Sequence, residues 1–201
     1  RTYHRLHSWT LKLRSAPRRM TILVVALLMV TVTACTPPTT DSGGAGYTAG
    51  DGSYTTWEVA DRGEAVELAG ETFQGDAVDL ADFQGELVVI NFWYAGCPPC
   101  RAEAPDLAAI YEDYPEIHML GINPRDDAGT AEAFERSFEV PYPSIWDKDA
   151  AGVAAMQGKV PLQAMPTTVV LDREGRVAAR ILGQIEPSLL RGLIDDVAAE
   201  V

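Results

Sequence analysis

The chain has 201 residues, and 47% of them are hydrophobic, which is enough for one folded domain of roughly 140 residues with an additional segment. Six of the 16 basic residues and none of the 29 acidic residues lie before position 36, so the rest of the chain has 10 basic and 29 acidic residues and a net charge of −19. This charge excludes a general role in binding nucleic acid, because the phosphate backbone would be repelled.

The first 35 residues have the organisation of a signal peptide. A basic segment leads into residues 20–34, a run of 15 mostly apolar residues, which is shorter than the ~20 residues that a transmembrane helix needs. The run ends in Val-Thr-Ala-Cys35, which resembles the lipobox of bacterial lipoproteins, where this cysteine is acylated and becomes the mature N-terminus. We interpret residues 1–35 as a lipoprotein signal peptide and Cys35 as its lipidation site. An uncleaved anchor helix is the alternative, and the export route, general secretory or twin-arginine, stays open.

Residues 36–56 are rich in proline, threonine, glycine and serine and contain almost no large aliphatic residues. Such a segment buries too little apolar surface to offset the entropy of ordering it, so we predict a flexible tether. A lipid at Cys35 would then hold a folded domain, residues 57–201, at the outer face of the cytoplasmic membrane. Acylation of Cys35 would also leave Cys97 and Cys100 as the two free thiols of the mature protein.

The folded domain begins with a pattern typical of strands. Residues 65–68 and 77–80 alternate apolar and polar side chains around glycines, which predicts a β-hairpin. Residues 87–92 are apolar without alternation, and therefore predict a strand that is buried on both faces of a sheet. Asn91 is the polar residue in this run, and we expect it to hydrogen-bond locally because an unpaired buried amide is costly.

The residues after Cys97 have helical periodicity, with Pro105 expected to kink the helix and Pro115 to end it. Further along, the patterns predict a strand at 117–122, a helix at 130–140, an extended segment at 141–146, a short helix at 150–156, two strands at 167–171 and 176–182, and a last helix at 187–201. Parallel strands with crossover helices, followed by an antiparallel pair and a helix, indicate an α/β fold that is a three-layer α/β/α sandwich.

The sequence Cys97-Pro98-Pro99-Cys100 opens the helix that follows the first buried strand. Two cysteines at the first turn of a helix can close a disulfide with little backbone movement, and the helix dipole favours the thiolate of the first one. This arrangement is typical of dithiol–disulfide exchange. The two prolines have no N–H to offer the thiolate, which favours a reducing couple. An inert structural disulfide and a zinc site are the alternatives, although so short a loop stabilises little and the chain has no second cysteine pair; we predict no metal.

Several motifs together resemble the thioredoxin superfamily, and more narrowly the TlpA/ResA-like membrane-tethered thiol-disulfide oxidoreductases of bacteria. They are Asn-Phe-Trp at the end of the buried strand, the Cys-Pro-Pro-Cys motif, the Arg-Ala-Glu-Ala-Pro that follows it, and Met165-Pro166-Thr167. The resemblance covers about residues 57–201 and implies a thioredoxin-like sandwich with an N-terminal β-hairpin and a helical insertion at about 150–156. One departure is Gly96, where the family usually has tryptophan. It puts substrate preference in question, and Tyr94 would compensate in part.

The motif and the resemblance assign roles to individual residues. We expect Cys97 to be the exposed nucleophile that forms a mixed disulfide with a partner, and Cys100, more buried, to resolve it. The resemblance implies that Glu103 tunes the cysteine pKa values and moves protons, with its own pKa raised if it is half-buried; a solvent-exposed glutamate is the alternative. It also implies a cis peptide before Pro166, which exposes the Met165 backbone to substrate. We assign a supporting role within the motif to Trp93, Pro98 and Pro99.

The resemblance implies an exported enzyme that acts on protein thiols and disulfides and needs no cofactor beyond its own redox-active disulfide. By family analogy it would reduce exported proteins, for example the haem-attachment cysteines of apocytochrome c, and a membrane electron donor of the CcdA type would recharge it. The motif does not set the direction, so a net oxidant resembling the DsbE-like proteins of actinobacteria is one alternative. A non-catalytic copper chaperone on the same fold is another, although the chain has C-x-x-C and no histidine after His118.

Overall fold

The computed structural model describes residues 52–160 and 164–200. The predicted signal peptide, the lipidation site at Cys35 and the tether up to residue 51 lie outside the described residues, so these interpretations stay predictions. Within the described residues, no helix is both long enough and apolar enough to cross a membrane.

A six-stranded sheet forms the centre of the domain. Its spatial order is β1 (Tyr54–Thr56), β8 (Val177–Leu182), β7 (Thr167–Leu171), β4 (Leu87–Phe92), β5 (Ile117–Asn123) and β6 (Ser144–Trp146). Strands β4, β5 and β6 are parallel, whereas β7 is antiparallel to both β4 and β8, and β8 is antiparallel to β1. The predicted buried strands and the predicted antiparallel pair are therefore confirmed.

The predicted N-terminal hairpin is present as a separate two-stranded sheet of β2 (Ala69–Glu71) and β3 (Ala77–Asp79). Its first strand begins later than the predicted 65–68. In that earlier segment Val66 donates its amide to Gly175 O and Leu68 O accepts the amide of Leu80, so the backbone is tied down by single bonds without a ladder. The alternation of side chains there reflects packing against the sheet.

The described residues form four α-helices: α1 (Pro98–Asp113), α2 (Ala128–Ser137), α3 (Ala151–Ala155) and α4 (Pro187–Ala198). Two short 3₁₀ helices cover Val59–Asp61 and Leu80–Phe83. Helix α2 begins two residues before the predicted position, because the Asp127 side chain accepts the amide of Thr130 and caps the helix there. Helix α1 continues through its internal proline and ends before Pro115, as predicted.

The two faces of the sheet carry different layers. Successive residues of β4 point to opposite faces. Leu87 and Val89 belong to a buried apolar cluster with α1 and α4, whereas Val88 and Ile90 belong to a second cluster with the hairpin and residues next to α3. Each such aliphatic side chain contributes about 1.5–3 kcal/mol when buried, so both layers stabilise the sheet. The predicted three-layer α/β/α sandwich is confirmed.

The folded domain begins earlier than the predicted boundary at residue 57. Strand β1 lies in the segment predicted to be tether, and pairs Tyr54 with Ile181 and Thr56 with Ala179. The prediction is wrong for these three residues because it weighed apolar burial alone. Tyrosine and threonine favour strands, and the open edge of β8 supplies a full backbone ladder to a segment that buries little.

Several chain segments meet at one end of the sheet. Phe92 at the carboxyl end of β4 pairs with Thr167 at the start of β7, which in turn pairs with Leu182 at the end of β8. The loop after β4 leads into the cysteine motif, and the segment before β7 contains the Met-Pro pair. The fold thus places both predicted parts of the site at this end, which we call the site end of the sheet.

Candidate active site

The cysteine pair lies at the N-terminus of α1 and forms a disulfide. Its S–S distance is 2.03 Å and the Cα atoms are 5.2 Å apart. Cys97 is the N-cap residue, and its Sγ accepts the amide N–H of Cys100 at 3.2 Å. Pro98 and Pro99 are the first residues of the helix, where the missing N–H groups break no intrahelical bond. The predicted closeness of the two cysteines is confirmed.

Burial of the two cysteines differs from the prediction. Cys97 is 0% exposed and Cys100 is 2% exposed, so Cys97 is not the more exposed member of the pair in the disulfide form. Both sulfurs belong to an apolar cluster whose other buried members are Phe73, Trp93, Ala104, Ala131 and Phe134. A disulfide has no charge to solvate, and it packs in such surroundings like an apolar side chain.

Glu103 lies one turn after Cys100 and is fully buried. Its Oε1 accepts a hydrogen bond from Asn91 Nδ2 at 2.8 Å and its Oε2 accepts one from the backbone N–H of Ile185 at 2.9 Å. Burial raises the pKa of Glu103 from 4.5 to about 8, although the two hydrogen bonds oppose the shift and the nearby Asp106 adds to it. The carboxyl group therefore changes its protonation state within the range where thiols also titrate.

Asn91 makes long-range hydrogen bonds instead of the expected local one. Its Nδ2 donates to Glu103 and also to Thr168 Oγ1 on β7, at 3.1 Å. Because β4 lies between β5 and β7, the Asn91 side chain has neighbouring elements on both sides, and its partners lie on α1 and β7. Asn91 also borders a cavity of about 10 Å³ that Cys100 lines as well, a volume close to that of one water molecule.

The peptide bond between Met165 and Pro166 is cis, as the resemblance implies. Both residues are buried, and Pro166 O accepts the backbone N–H of Gly183 at 2.8 Å. Thr167, the next residue, pairs with Phe92 at the end of β4. The cis-proline segment is thus held at the site end of the sheet, at the end of the strand that leads to the cysteines.

Trp93 packs in the same buried apolar cluster as the disulfide. Its ring stacks on Phe134 with centroids 4.4 Å apart, and its Nε1 donates to Ser144 Oγ at 3.3 Å. The position before Cys97 is open, as Gly96 predicts, but a Cβ at that position would lie only 3.4 Å from the Tyr94 ring. An aromatic side chain therefore does lie beside this position, supplied by Tyr94.

Sequence reasoning missed other contributors to the site. The amide of Ile185 binds Glu103 across 82 positions, and the Asp126 carboxylate binds the amide of Ala95 across 31 positions. Tyr142 lines the same small cavity as Cys100 and lies close enough to Glu103 for the carboxylate to raise the phenol pKa, after burial as the main cause. A backbone amide leaves no signal in a sequence, and an aspartate in a polar loop looks like any exposed residue.

Arg101 follows Cys100 and is exposed, with its guanidinium 4.9 Å from the Phe138 ring and 3.3 Å from Ala95 O. Among the described residues, no group of three or more His, Cys, Asp or Glu side chains is arranged to hold a metal ion.

Comparison with known proteins places these features in context. Residues 61–180 match the AhpC/TSA family. The thiol-disulfide oxidoreductase ResA of Halalkalibacterium halodurans is 24% identical over 158 residues, which are 77% of this chain and 88% of that protein. The crystal structure of a DsbF homologue from Corynebacterium diphtheriae is similar with a TM-score of 0.65 and 33% identity, over 75% of this chain and 96% of that one. The crystal structure of a secreted thiol-disulfide isomerase from Corynebacterium glutamicum is similar with a TM-score of 0.68 and 30% identity, over 77% of this chain and 97% of that one.

Proposed function

Since the chain belongs to the AhpC/TSA family, has a thioredoxin-like fold and is a thiol-disulfide oxidoreductase of the ResA/DsbE-like group, we propose that Cys97 and Cys100 are its redox couple and that it reduces disulfides in exported proteins. The observation that carries this proposal is the position of the pair at the N-terminus of α1, with a titratable carboxyl group buried one turn away. No cofactor beyond the disulfide takes part.

In the proposed reaction, the Cys97 thiolate of the reduced enzyme attacks one sulfur of a partner disulfide. A mixed disulfide forms and the other partner sulfur leaves as a thiolate that takes up a proton. The Cys100 thiol then loses its proton and attacks Cys97 Sγ, which closes the enzyme disulfide and releases the partner as a dithiol. Two electrons pass from the cysteine pair to the partner, and the protons of the two enzyme thiols balance those gained by the partner.

Glu103 is the group that exchanges the proton of Cys100 in this scheme. Its pKa of about 8 lets it hold a proton at neutral pH and release it in the range of thiol titration. Cys100 and Asn91 border the same small cavity, and the Asn91 side chain binds Glu103 Oε1. This geometry supports the role that the family resemblance assigns to the residue.

The reducing direction rests on the donors that reach Cys97. Among the described residues, its Sγ accepts a single hydrogen bond, from the Cys100 amide, because the two intervening residues are prolines. Fewer amide donors stabilise the thiolate less, and a less stable thiolate favours the disulfide form of the couple. A couple that favours its disulfide form is a reductant.

The protein works outside the cytoplasm in this proposal, held to the outer face of the cytoplasmic membrane by a lipid on Cys35. The signal peptide at residues 1–35 and the polar tether support this location. Apocytochrome c is the proposed example of a substrate, and a membrane protein of the CcdA type is the proposed electron donor. Cys97 and Cys100 are then the free thiols through which both partners react.

Two experiments test the proposal. DsbA, a strong oxidant, has a reduction potential of about −120 mV. The reduction potential of this protein, measured by equilibration with glutathione buffers, should lie well below that value. A potential close to that of DsbA would reject the reducing direction. Replacement Cys100→Ser leaves mixed disulfides on Cys97 unresolved, so membranes of the native bacterium expressing it should yield exported proteins covalently bound to Cys97. If the captured proteins have no cysteine pair, the proposed substrates are wrong.

A second candidate function is net oxidation or isomerisation of exported disulfides. It is favoured by the solved structures from Corynebacterium, one described as a DsbF homologue and the other as a secreted thiol-disulfide isomerase. The same measurement of the reduction potential separates the two functions. The dithiol form of an oxidant is stable relative to its own disulfide form, which raises its reduction potential.

A further inference from the structure

The loop that leads to Cys97 is held from outside the cysteine motif. Ala95, two residues before Cys97, donates its backbone N–H to the carboxylate of Asp126, with N and Oδ2 2.6 Å apart. The guanidinium of the neighbouring Arg125 lies over the Tyr94 ring, 4.6 Å from its centroid. Both residues belong to the loop between β5 and α2. Two side chains of one loop thus contact two successive residues of another.

The position of the Asp126 carboxylate is itself fixed by the sheet. Asn123, fully buried at the end of β5, donates from Nδ2 to Asp126 Oδ2 at 2.8 Å. Its Oδ1 accepts the backbone amides of Arg125 and Asp126, both at 3.0 Å, which closes a tight turn. Trp146 Nε1 on β6 donates to the backbone O of Asp126 at 3.1 Å. The carboxylate is therefore oriented before it contacts the other loop.

Other hydrogen bonds also hold the loop before Cys97. Trp93 N donates to Ile122 O at 3.0 Å, and Cys97 N donates to Tyr94 O at 3.2 Å. Between these bonds lies Gly96, which has no side chain to limit its backbone. Arg101 Nη1 also donates to Ala95 O, at 3.3 Å, but the bond from Ala95 N to Asp126, at 2.6 Å, is the shortest of these hydrogen bonds.

We propose that Asp126 is a positioning residue for disulfide exchange: its carboxylate fixes the backbone before Cys97 and so holds the sulfur in line with the partner disulfide. The proposal rests on the oxidoreductase activity and not on the proposed substrate or direction. Exchange requires three sulfurs to align, and small displacements of a reacting group cost large factors in rate. The position of the Asp126 acceptor oxygen should therefore matter more for the rate of exchange than the negative charge of its carboxylate.

Three replacements separate the acceptor position from the charge, with insulin as the disulfide substrate. Asp126→Ala removes both, and kcat should fall about tenfold while KM for insulin changes less than twofold, since Asp126 contacts the loop and not the partner. Asp126→Asn keeps an acceptor oxygen in place and should stay within about threefold of wild type. Asp126→Glu keeps the charge but shifts the oxygen, and should lose at least about fivefold.

Asp127 provides the matched control. It is the next residue, and its side chain caps α2 through Thr130; none of the described hydrogen bonds joins it to residues 94–97. Asp127→Ala should lower the melting temperature yet keep kcat within about twofold of wild type. The proposal is overturned if Asp126→Ala reacts like wild type, if Asp126→Asn is as slow as Asp126→Ala, or if Asp127→Ala loses as much kcat as Asp126→Ala.

Discussion

Two buried carboxylates at opposite ends of the central sheet have opposite surroundings. Glu103 at the site end accepts hydrogen bonds from neutral donors, the Asn91 side chain and the Ile185 amide. Asp172, just after β7 at the other end, accepts them from the side chains of Arg62 and Arg176. Both carboxylates are almost completely inaccessible to solvent.

Their pKa values move in opposite directions. Burial is the main cause for Glu103 and raises its pKa to about 8. Burial would also raise the pKa of Asp172, but hydrogen bonds from the Arg176 amide and from the Arg62 and Arg176 side chains outweigh it, and the pKa is lowered. Burial alone does not decide whether a carboxyl group titrates near neutral pH. The charge of its hydrogen-bond donors does, and it separates a group that can move protons from one that ties the chain together.

The largest expected effect comes from removing the titratable group at the site end. The folded protein keeps a proton on Glu103 that the unfolded chain releases above its ordinary pKa, so wild-type stability falls as pH rises from about 4.5 to about 8. Glu103→Gln does not titrate. Its unfolding free energy relative to wild type should therefore increase across this window, by as much as about 4 kcal/mol.

Urea denaturation of both proteins at pH 5, 6.5 and 8 measures this difference. Parallel stability curves would mean that Glu103 is already ionised at pH 5, and the contrast with Asp172 would disappear.

The next largest effect comes from breaking the charged cluster at the other end. The side chain of Arg62 is 3% exposed and pairs with Asp172 and Glu200. Arg62→Ala leaves a buried carboxylate with one cationic partner fewer, and should cost about 3 kcal/mol of unfolding free energy at pH 7. Arg136→Ala is the control, because its 3.6 Å pair with Glu132 is exposed, and it should cost less than about 0.5 kcal/mol. Equal losses of unfolding free energy in the two variants would show that the buried charged cluster does not stabilise the fold more than an exposed ion pair does.

A smaller effect concerns the hydrogen bond from Asn91 to Glu103. Asn91→Leu removes a donor that favours the charged form, so the pKa of Glu103 should rise further. The upper pH limit of the window over which stability falls should move upward accordingly, while the lower limit, set by the unfolded chain, stays in place. Stability at pH 5 should drop by about 1–2 kcal/mol. Thr168→Val is the control, since it removes the other partner of Asn91 and leaves the bond to Glu103 in place. An unchanged window in Asn91→Leu would show that this hydrogen bond does not influence the titration.

Features that depend on a short stretch of sequence were predictable. The apolar runs of β4, β5 and β7, the periodicity of α1 and the Cys-Pro-Pro-Cys motif at its start all carry their meaning within a short window, and the structure confirms them. The first strand of the hairpin and the start of α2 were displaced by a few residues, because single backbone bonds and the Asp127 cap decide those limits.

What could not be predicted depends on contacts between distant segments. Strand β1 exists because β8 offers it an edge, and the sequence of β1 alone looks like tether. The burial of Cys97 arises from aromatic residues on other elements, and the partners of Asn91 and Glu103 lie on strands and turns far along the chain. The loop of Asp126 offered no pattern at all, although its carboxylate binds the stretch before the nucleophile.

In the proposed exchange Cys97 attacks and Cys100 resolves, even though both sulfurs are buried in the disulfide form. Mass spectrometry of reduced Cys100→Ser and Cys97→Ser proteins mixed with glutathione disulfide tests it most directly. We expect Cys100→Ser to accumulate one glutathione adduct on Cys97 at least about tenfold faster than Cys97→Ser acquires one on Cys100. Equal rates, or faster reaction at Cys100, would contradict it.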